Sequence, residues 1–283
     1  MRILRRLCRD RLALTGLVIV ALLTLVVVVA PWLAPHDPNA VSPVNRLASP
    51  SGEHLLGTDV LGRDVLSRLL IGARWSLGAA TFVTVCVVGI GLLVGTISGY
   101  YGGAVDAVAM RVVDALLAFP ALLLTLAIVG VLGPGLGSVL AGLIAVVWAD
   151  YARVARGSVL ALREREYVLA AQALGASGPH IGLRHVLPNI VSSVVVLATL
   201  EMGQLILALA GLSFLGLGAQ PPDPEWGAML NDGRLYFLTA PQLMIYPGIA
   251  ISLAVLGLNL LGDGLRDLLD PRLSRRRSAA ATE

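Results

Sequence analysis

Few side chains in this sequence are placed to do chemistry. Ser177, His180 and His185 bring a hydroxyl and two imidazoles close together in sequence, the residue types of a serine hydrolase. Such a nucleophile needs its base held on a separate packed element, whereas these three share one polar loop in which serine follows Gly-Ala. The four histidines, His36, His54, His180 and His185, show no metal-ligand spacing, and no metal is expected. Acids within apolar runs are the third group. Glu201 stands alone in one such run. A carboxyl there contacts a substrate, an ion or a partner, or else it is paired against a sister subunit or held neutral; both readings stay open. Asp114 and Asp150 read as anchors near the membrane interface, and Asp263, Arg266 and Asp267 as groups that pair locally or meet a partner. Lysine is absent, for all 21 basic residues are arginine. That removes the phosphate loop ending in Gly-Lys-Ser/Thr, the Schiff-base lysine and the kinase lysine. No catalytic set and no bound cofactor are expected.

The elements that carry these residues follow from composition. Of 283 residues, 57% are hydrophobic and 14% charged, with mean hydropathy +0.83, against roughly 25% charged and 45–50% apolar in soluble domains. A soluble exterior cannot be built from this, and disorder is excluded by the same apolar content. Cys8 and Cys86 are the only cysteines, the first on a cytoplasmic segment and the second in the middle of a predicted span, so no disulfide scaffold forms. The fold class is an all-α polytopic membrane protein. A bilayer core of about 30 Å needs roughly 20 helical residues, and six stretches qualify: 12–33, 77–97, 112–132, 136–154, 190–212 and 243–261. With the N-terminus inside, sixteen arginines fall on inner segments and five on outer ones. Two basic termini and an even number of spans place both ends in the cytoplasm. The first apolar run is too long for a signal peptide, whose core is about 7–15 residues.

The outer loops 34–76 and 213–242 are long and rich in Pro, Gly and Asp. Residues 60–74 interleave arginines with apolar positions and read as an amphipathic helix at the interface. The segment 220–226 is stiffened by Pro221, Pro222 and Pro224 and carries Asp223, Glu225 and Trp226. It reads as a rim or platform for another protein, or as a structural plug. Gly89, Gly91 and Gly95 lie within a span, where small residues let helices approach closely.

The most specific segment is the inner loop 157–189, which reads RERE-YVLAAQALGASGPHIGLRHVLPN from Arg163. Helix formers run to Leu174, Gly175 makes a C-cap, and Gly178-Pro179 breaks the chain. Ala170-Ala171, then Gly175, then Leu187-Pro188 resemble the cytoplasmic "EAA" loop of permease subunits of bacterial ABC importers. The resemblance extends to LGTDVLGRDVLSRLLIGAR at 56–74, MRVVDALLAFP at 110–120, LSFLGLGAQPPDPEWGAML at 212–230 and LGDGLRDLLDPR at 261–272. These blocks read like the "C" permease of dipeptide, oligopeptide and nickel importers, and they cover nearly the whole chain.

The resemblance implies a type I importer permease in a bacterial inner membrane, forming half of a pore for short peptides, with nickel or nickel chelates as the alternative. A different class, the ion-coupled secondary transporter, needs inverted repeats, and no convincing repeat is visible. The implied partners are a homologous "B" permease, two ATP-binding subunits that hold ATP and Mg, an extracytoplasmic binding protein and membrane lipid, with no nucleic acid. The implied organisation is an arm, first span and outer loop over 1–75, a five-span core over 76–270 with coupling loop 157–189, and a basic tail over 271–283. Glu166, Ala170, Ala171, Gly175 and Ser177 are the implied ATPase-coupling positions, Glu201 a position on the translocation path, and Asp223, Glu225 and Trp226 a binding-protein contact. Three departures stand out: Leu169 occupies the place of the motif's glutamate, His185 replaces its isoleucine, and Leu209 stands where relatives carry an acid before LSFLGLG.

Overall fold

The computed structural model describes residues 10–175, 182, 184 and 187–269. Among these, helices α1 (Arg11–Leu33), α2 (Val65–Tyr101), α3 (Gly103–Leu117), α4 (Ala121–Leu132), α5 (Leu136–Arg163), α6 (Glu166–Ala173), α7 (Leu187–Phe214), α8 (Trp226–Gly233) and α9 (Gln242–Leu269) follow in order. The only β pairing among them is an isolated bridge between Thr58 and Asp64. Five helices are long and apolar enough to cross a membrane, and the bent pair α3–α4 makes a sixth crossing if it is one span.

Local chemistry sets the boundaries. Asp10 caps α1 by accepting from the Leu12 and Ala13 amides at 3.0 and 3.3 Å. Asp64 caps α2 through the Ser67 amide at 2.8 Å. Gly102 and Gly103, with φ of 64° and 55°, turn the chain from α2 into α3, a conformation that only glycine adopts freely.

Two expectations about the spans need correction. Residues 60–74 are not a separate interfacial helix. Helix α2 begins at Val65 and runs unbroken for 37 residues, about 55 Å at 1.5 Å per residue. That exceeds a bilayer of about 40–45 Å with its headgroups, so its first turns stand in the loop layer. The third span, expected as one run over 112–132, is broken: α3 and α4 meet at 88°. Pro120 sits at the N-cap of α4, where its missing N–H costs nothing, and it disfavours helical geometry at Phe119.

The main core lies among α2, α5 and α7, with Val83, Val87, Val139, Leu143, Tyr151, Ala155, Val159, Val194, Leu205 and Leu209 buried together. Helices α2 and α5 form the most extensive pair. Their seam is a glycine row spaced by four, Gly91, Gly95 and Gly99, seated on Tyr151, Ala152, Ala155 and Val159. Gly89 lies on the other face, where nothing among the described residues comes within 4 Å of a β-carbon position, so only two of the three glycines singled out in sequence make the close approach. Helix α1 packs at the periphery against α9 and α2, and Leu22, Leu25, Val28 and Trp32 project outward, as a lipid-facing helix requires.

Candidate functional site: an acid-lined groove between a knitted loop layer and a short helix

Helices α5 and α7 each span 28 residues, and each carries one acid at its middle, Asp150 and Glu201. Both line one groove of about 500 Å³, together with Gln204 and the apolar side chains of Ala121, Leu122, Leu143, Val147 and Leu205. Asp150, expected as an anchor near the interface, lines this groove. Helix α5 continues nine residues past the expected end at Val154, which moves Asp150 to mid-helix and beside Glu201. Gln204 is the member that sequence reasoning missed, although a polar residue three positions after Glu201 shares its helix face. Asp114 remains peripheral, with its carboxylate 2.6 Å from Arg153 on the exposed surface.

Below the groove, α5 is tied to its neighbours. Arg156 grips Asp106 on α3 with two parallel bonds of 2.5 and 2.6 Å, and Ser98 on α2 donates to the same carboxylate. Such a bidentate pair fixes orientation as well as distance. The Arg163 guanidinium donates to the Gly99 carbonyl at 3.4 Å. After a turn in which the Arg165 amide donates to the Leu162 carbonyl, α6 begins. Val168 is fully buried in the main core and pins α6 to the bundle, whereas Glu166, Tyr167 and Ala170 face outward. Gly175 ends the segment with φ of +81°, the left-handed conformation of a helix C-cap glycine, and among the described residues nothing lies within 4 Å of where a β-carbon would stand. The side chain of Ala171, and all of Ser177, His180 and His185, lie outside what the structure describes.

On the opposite face, loops 34–64 and 215–241 interlock. Arg63 and Arg68 are nearly fully buried. Arg63 bonds Asp59 at 2.6 Å and Asp232 at 3.2 Å, and Arg68 donates to the Pro38 and Pro222 carbonyls at 3.1 and 3.2 Å. Two of the five arginines assigned to outer segments are thus internal struts. Glu225 and Trp226 are struts as well, which corrects their expected contact with another protein. Glu225 is 0% exposed: it caps α8 through the Ala228 amide at 3.0 Å and accepts from the Ser76 hydroxyl at 2.8 Å. Trp226 donates its indole N–H to the Leu69 carbonyl at 3.0 Å. Gly72 permits this, since a β-carbon there would fall 2.2 Å from the Pro224 carbonyl oxygen. Only Asp223 of the three is partly accessible.

The same face holds a convergence that spacing did not reveal. His36 and His54, expected to hold no metal, both approach Asp64, and their ligand atoms and the carboxylate lie within 4.8 Å of one another. Burial tends to raise the Asp64 pKa, but hydrogen bonds from the Ser67 amide, His54 and the Ser67 hydroxyl outweigh it and hold the carboxyl below its usual range.

Comparison with known proteins identifies the family to which this arrangement of helices belongs. Residues 91–275 match the family model described as binding-protein-dependent transport system inner membrane component, and residues 1–50 match the N-terminal TM domain of oligopeptide transport permease C. The nickel transport system permease protein of Escherichia coli (strain K12) is 45% identical over 258 residues, covering 91% of this chain and 93% of that one. The dipeptide transport system permease protein of Alkalihalophilus pseudofirmus is 43% identical over 269 residues, covering 95% and 88%. The glutathione transport system permease protein of Escherichia coli O1:K1 / APEC is 46% identical over 270 residues, covering 95% and 89%. These matches replace the secondary-transporter alternative, and the helices supply the several crossings that a multi-pass protein needs. The chain belongs to the family of binding-protein-dependent transport system inner membrane components, as a "C"-type permease subunit of an ABC importer.

Proposed function

We propose that this chain forms one half of the translocation pore for short peptides, with its termini and α6 on the cytoplasmic side. The observation that carries the proposal is the groove in which Asp150, Glu201 and Gln204 meet at mid-helix depth. This chain does not enclose the groove by itself, and a homologous "B" permease supplies the second wall. A peptide crossing an apolar layer carries an ammonium group and amides, and two carboxyls with a carboxamide meet both at low dielectric. Two of the relatives above are named for dipeptide and glutathione, both peptidic.

Nickel is the second reading, favoured by the nickel-transport relative and by the oxygen donors of the same three side chains. In either case cargo arrives on an extracytoplasmic binding protein, for which Asp223 remains the accessible candidate on the loop face. ATP and Mg are held by two partner ATPases. Helix α6 with Glu166, Ala170, Ala171 and Gly175, and Ser177 beyond it, docks into them; small side chains let it seat closely, and Val168 relays the motion into the bundle.

The test is uptake by the co-purified complex in proteoliposomes, with a labelled dipeptide and Ni²⁺ compared in parallel. Glu201→Gln and Asp150→Asn should each raise KM for the true cargo while leaving basal ATPase unchanged. Unaltered uptake kinetics in both correctly folded variants would remove the groove from the path, and nickel uptake without dipeptide uptake would reverse the choice of cargo.

A further inference from the structure

We propose that His36, His54 and Asp64 form a binding site for a divalent transition-metal ion, clamping the arm after α1 to the N-terminus of α2. The three residues come from separate positions along residues 34–64, yet both imidazole Nδ1 atoms address one oxygen: Asp64 Oδ1 lies 2.9 Å from that of His54 and 3.7 Å from that of His36. The other carboxylate oxygen is already committed. Asp64 Oδ2 accepts from the Ser67 amide at 2.8 Å and the Ser67 hydroxyl at 2.7 Å, which leaves Oδ1 to the histidines.

His36 Nδ1 is buried and has no hydrogen-bond partner among the described residues. A buried imidazole nitrogen without a partner is costly, and the carboxylate at 3.7 Å is too far to satisfy it. An ion seated among the three atoms would use that lone pair. Tetrahedral coordination with bonds of about 2.0–2.2 Å sets ligand atoms roughly 3.3–3.6 Å apart, so the present spread, within 4.8 Å, must close by about 1 Å, a movement within reach of the partly exposed His36 side chain. Two imidazoles and one carboxylate select zinc, nickel, cobalt or copper over magnesium and calcium.

The supporting shell is built as metal sites require. Ser67 holds Asp64 and, through its hydroxyl oxygen, accepts the His36 amide at 3.0 Å, so one side chain sets two ligands. His54 is held by its amide to the Ser51 hydroxyl at 3.1 Å and by its carbonyl, which accepts from the Ser51 and Gly57 amides. The His36 side chain is 36% exposed and the His54 side chain 11%, which leaves open coordination positions and an entry path on the His36 side. The site lies in the loop layer, away from the Asp150–Glu201 groove, and does not rest on the choice of cargo.

The experiment uses the untagged full-length chain with its partner permease in nanodiscs, equilibrated with Zn²⁺, Ni²⁺ or Co²⁺ in the presence of excess Mg²⁺. Bound metal is measured after dialysis, and the Co²⁺ visible spectrum reports the ligands. One bound ion per chain is expected, with affinity lowered at least about tenfold, the scale of losing a ligand-shell contact, in His36→Ala and in His54→Ala. His180→Ala serves as the control for stray histidine binding and should bind like the parent. His36→Ala is the decisive variant, because its partly exposed ring can be removed with little effect on folding. Binding by His36→Ala equal to the parent, or no stoichiometric ion on the parent, would overturn the proposal.

Discussion

Replacing Gly95 with alanine tests the α2–α5 seam most directly. A β-carbon at position 95 would sit 2.3 Å from the Ala152 carbonyl oxygen, 2.7 Å from the Ala155 β-carbon and 2.9 Å from the Arg156 amide nitrogen. Nonbonded carbon contacts are comfortable at about 3.5–4.0 Å, so the two helices must part by about 1 Å. None of the three close atoms is the far end of a flexible side chain that could swing aside. Overpacking of this kind costs roughly 1–3 kcal/mol, which is on the order of 5 °C in Tm for a chain of this size. The internal control is Gly89→Ala on the same helix, where nothing lies within 4 Å; it removes a helix glycine and gains up to about 1 kcal/mol of propensity. Thermal unfolding of the purified complex, followed by tryptophan fluorescence, should separate the two variants clearly. Because Arg156 follows directly on the seam and holds Asp106, the Gly95 variant should also lose transport per ATP hydrolysed. If Gly95→Ala melts with Gly89→Ala, the glycine row is not the close contact described.

Three further outcomes follow from the same geometry. Glu225→Ala should cost about 2–4 kcal/mol, since it removes a helix cap and strands the Ser76 hydroxyl and the Ala228 amide; Asp223→Ala should melt like the parent in the same scan. Asp106→Asn removes a partly exposed ion pair worth about 1 kcal/mol, so stability should change little while substrate-stimulated ATPase falls toward its basal rate, and unchanged stimulation would show that the tie between α3 and α5 takes no part in coupling. Gly175→Val forces a β-branched residue into φ of +81°, a strain of about 1–2 kcal/mol confined to an exposed segment; uptake and binding-protein-stimulated ATPase should both drop, and survival of both would sink the coupling assignment.

Legibility in the sequence tracked the range of the interactions involved. The runs of 12–33 and 190–212 became α1 and α7 with small shifts of boundary, and 243–261 lies within α9, which continues eight residues further, because burial in lipid depends on each residue's own polarity. The Gly175 cap was legible for the same reason, as it is a property of one backbone position. The break at Pro120 was also present in the sequence, as a proline after Phe119, but an apolar run of the right length outweighed it.

Composition, apolar run length and the inner-loop wording thus determined by themselves the membrane class, the approximate spans and the permease family. Only the tertiary structure decided which polar groups meet. Glu225 finds Ser76 across 149 positions, Arg63 finds Asp232 across 169, and Asp150 joins Glu201 through helix packing alone. The same holds for His36, His54 and Asp64, whose spacing resembles no metal motif. Hydrophobic burial is a sum over single residues and can be read along a line. A buried polar group must find one particular partner, and the partner is named by the packing of helices.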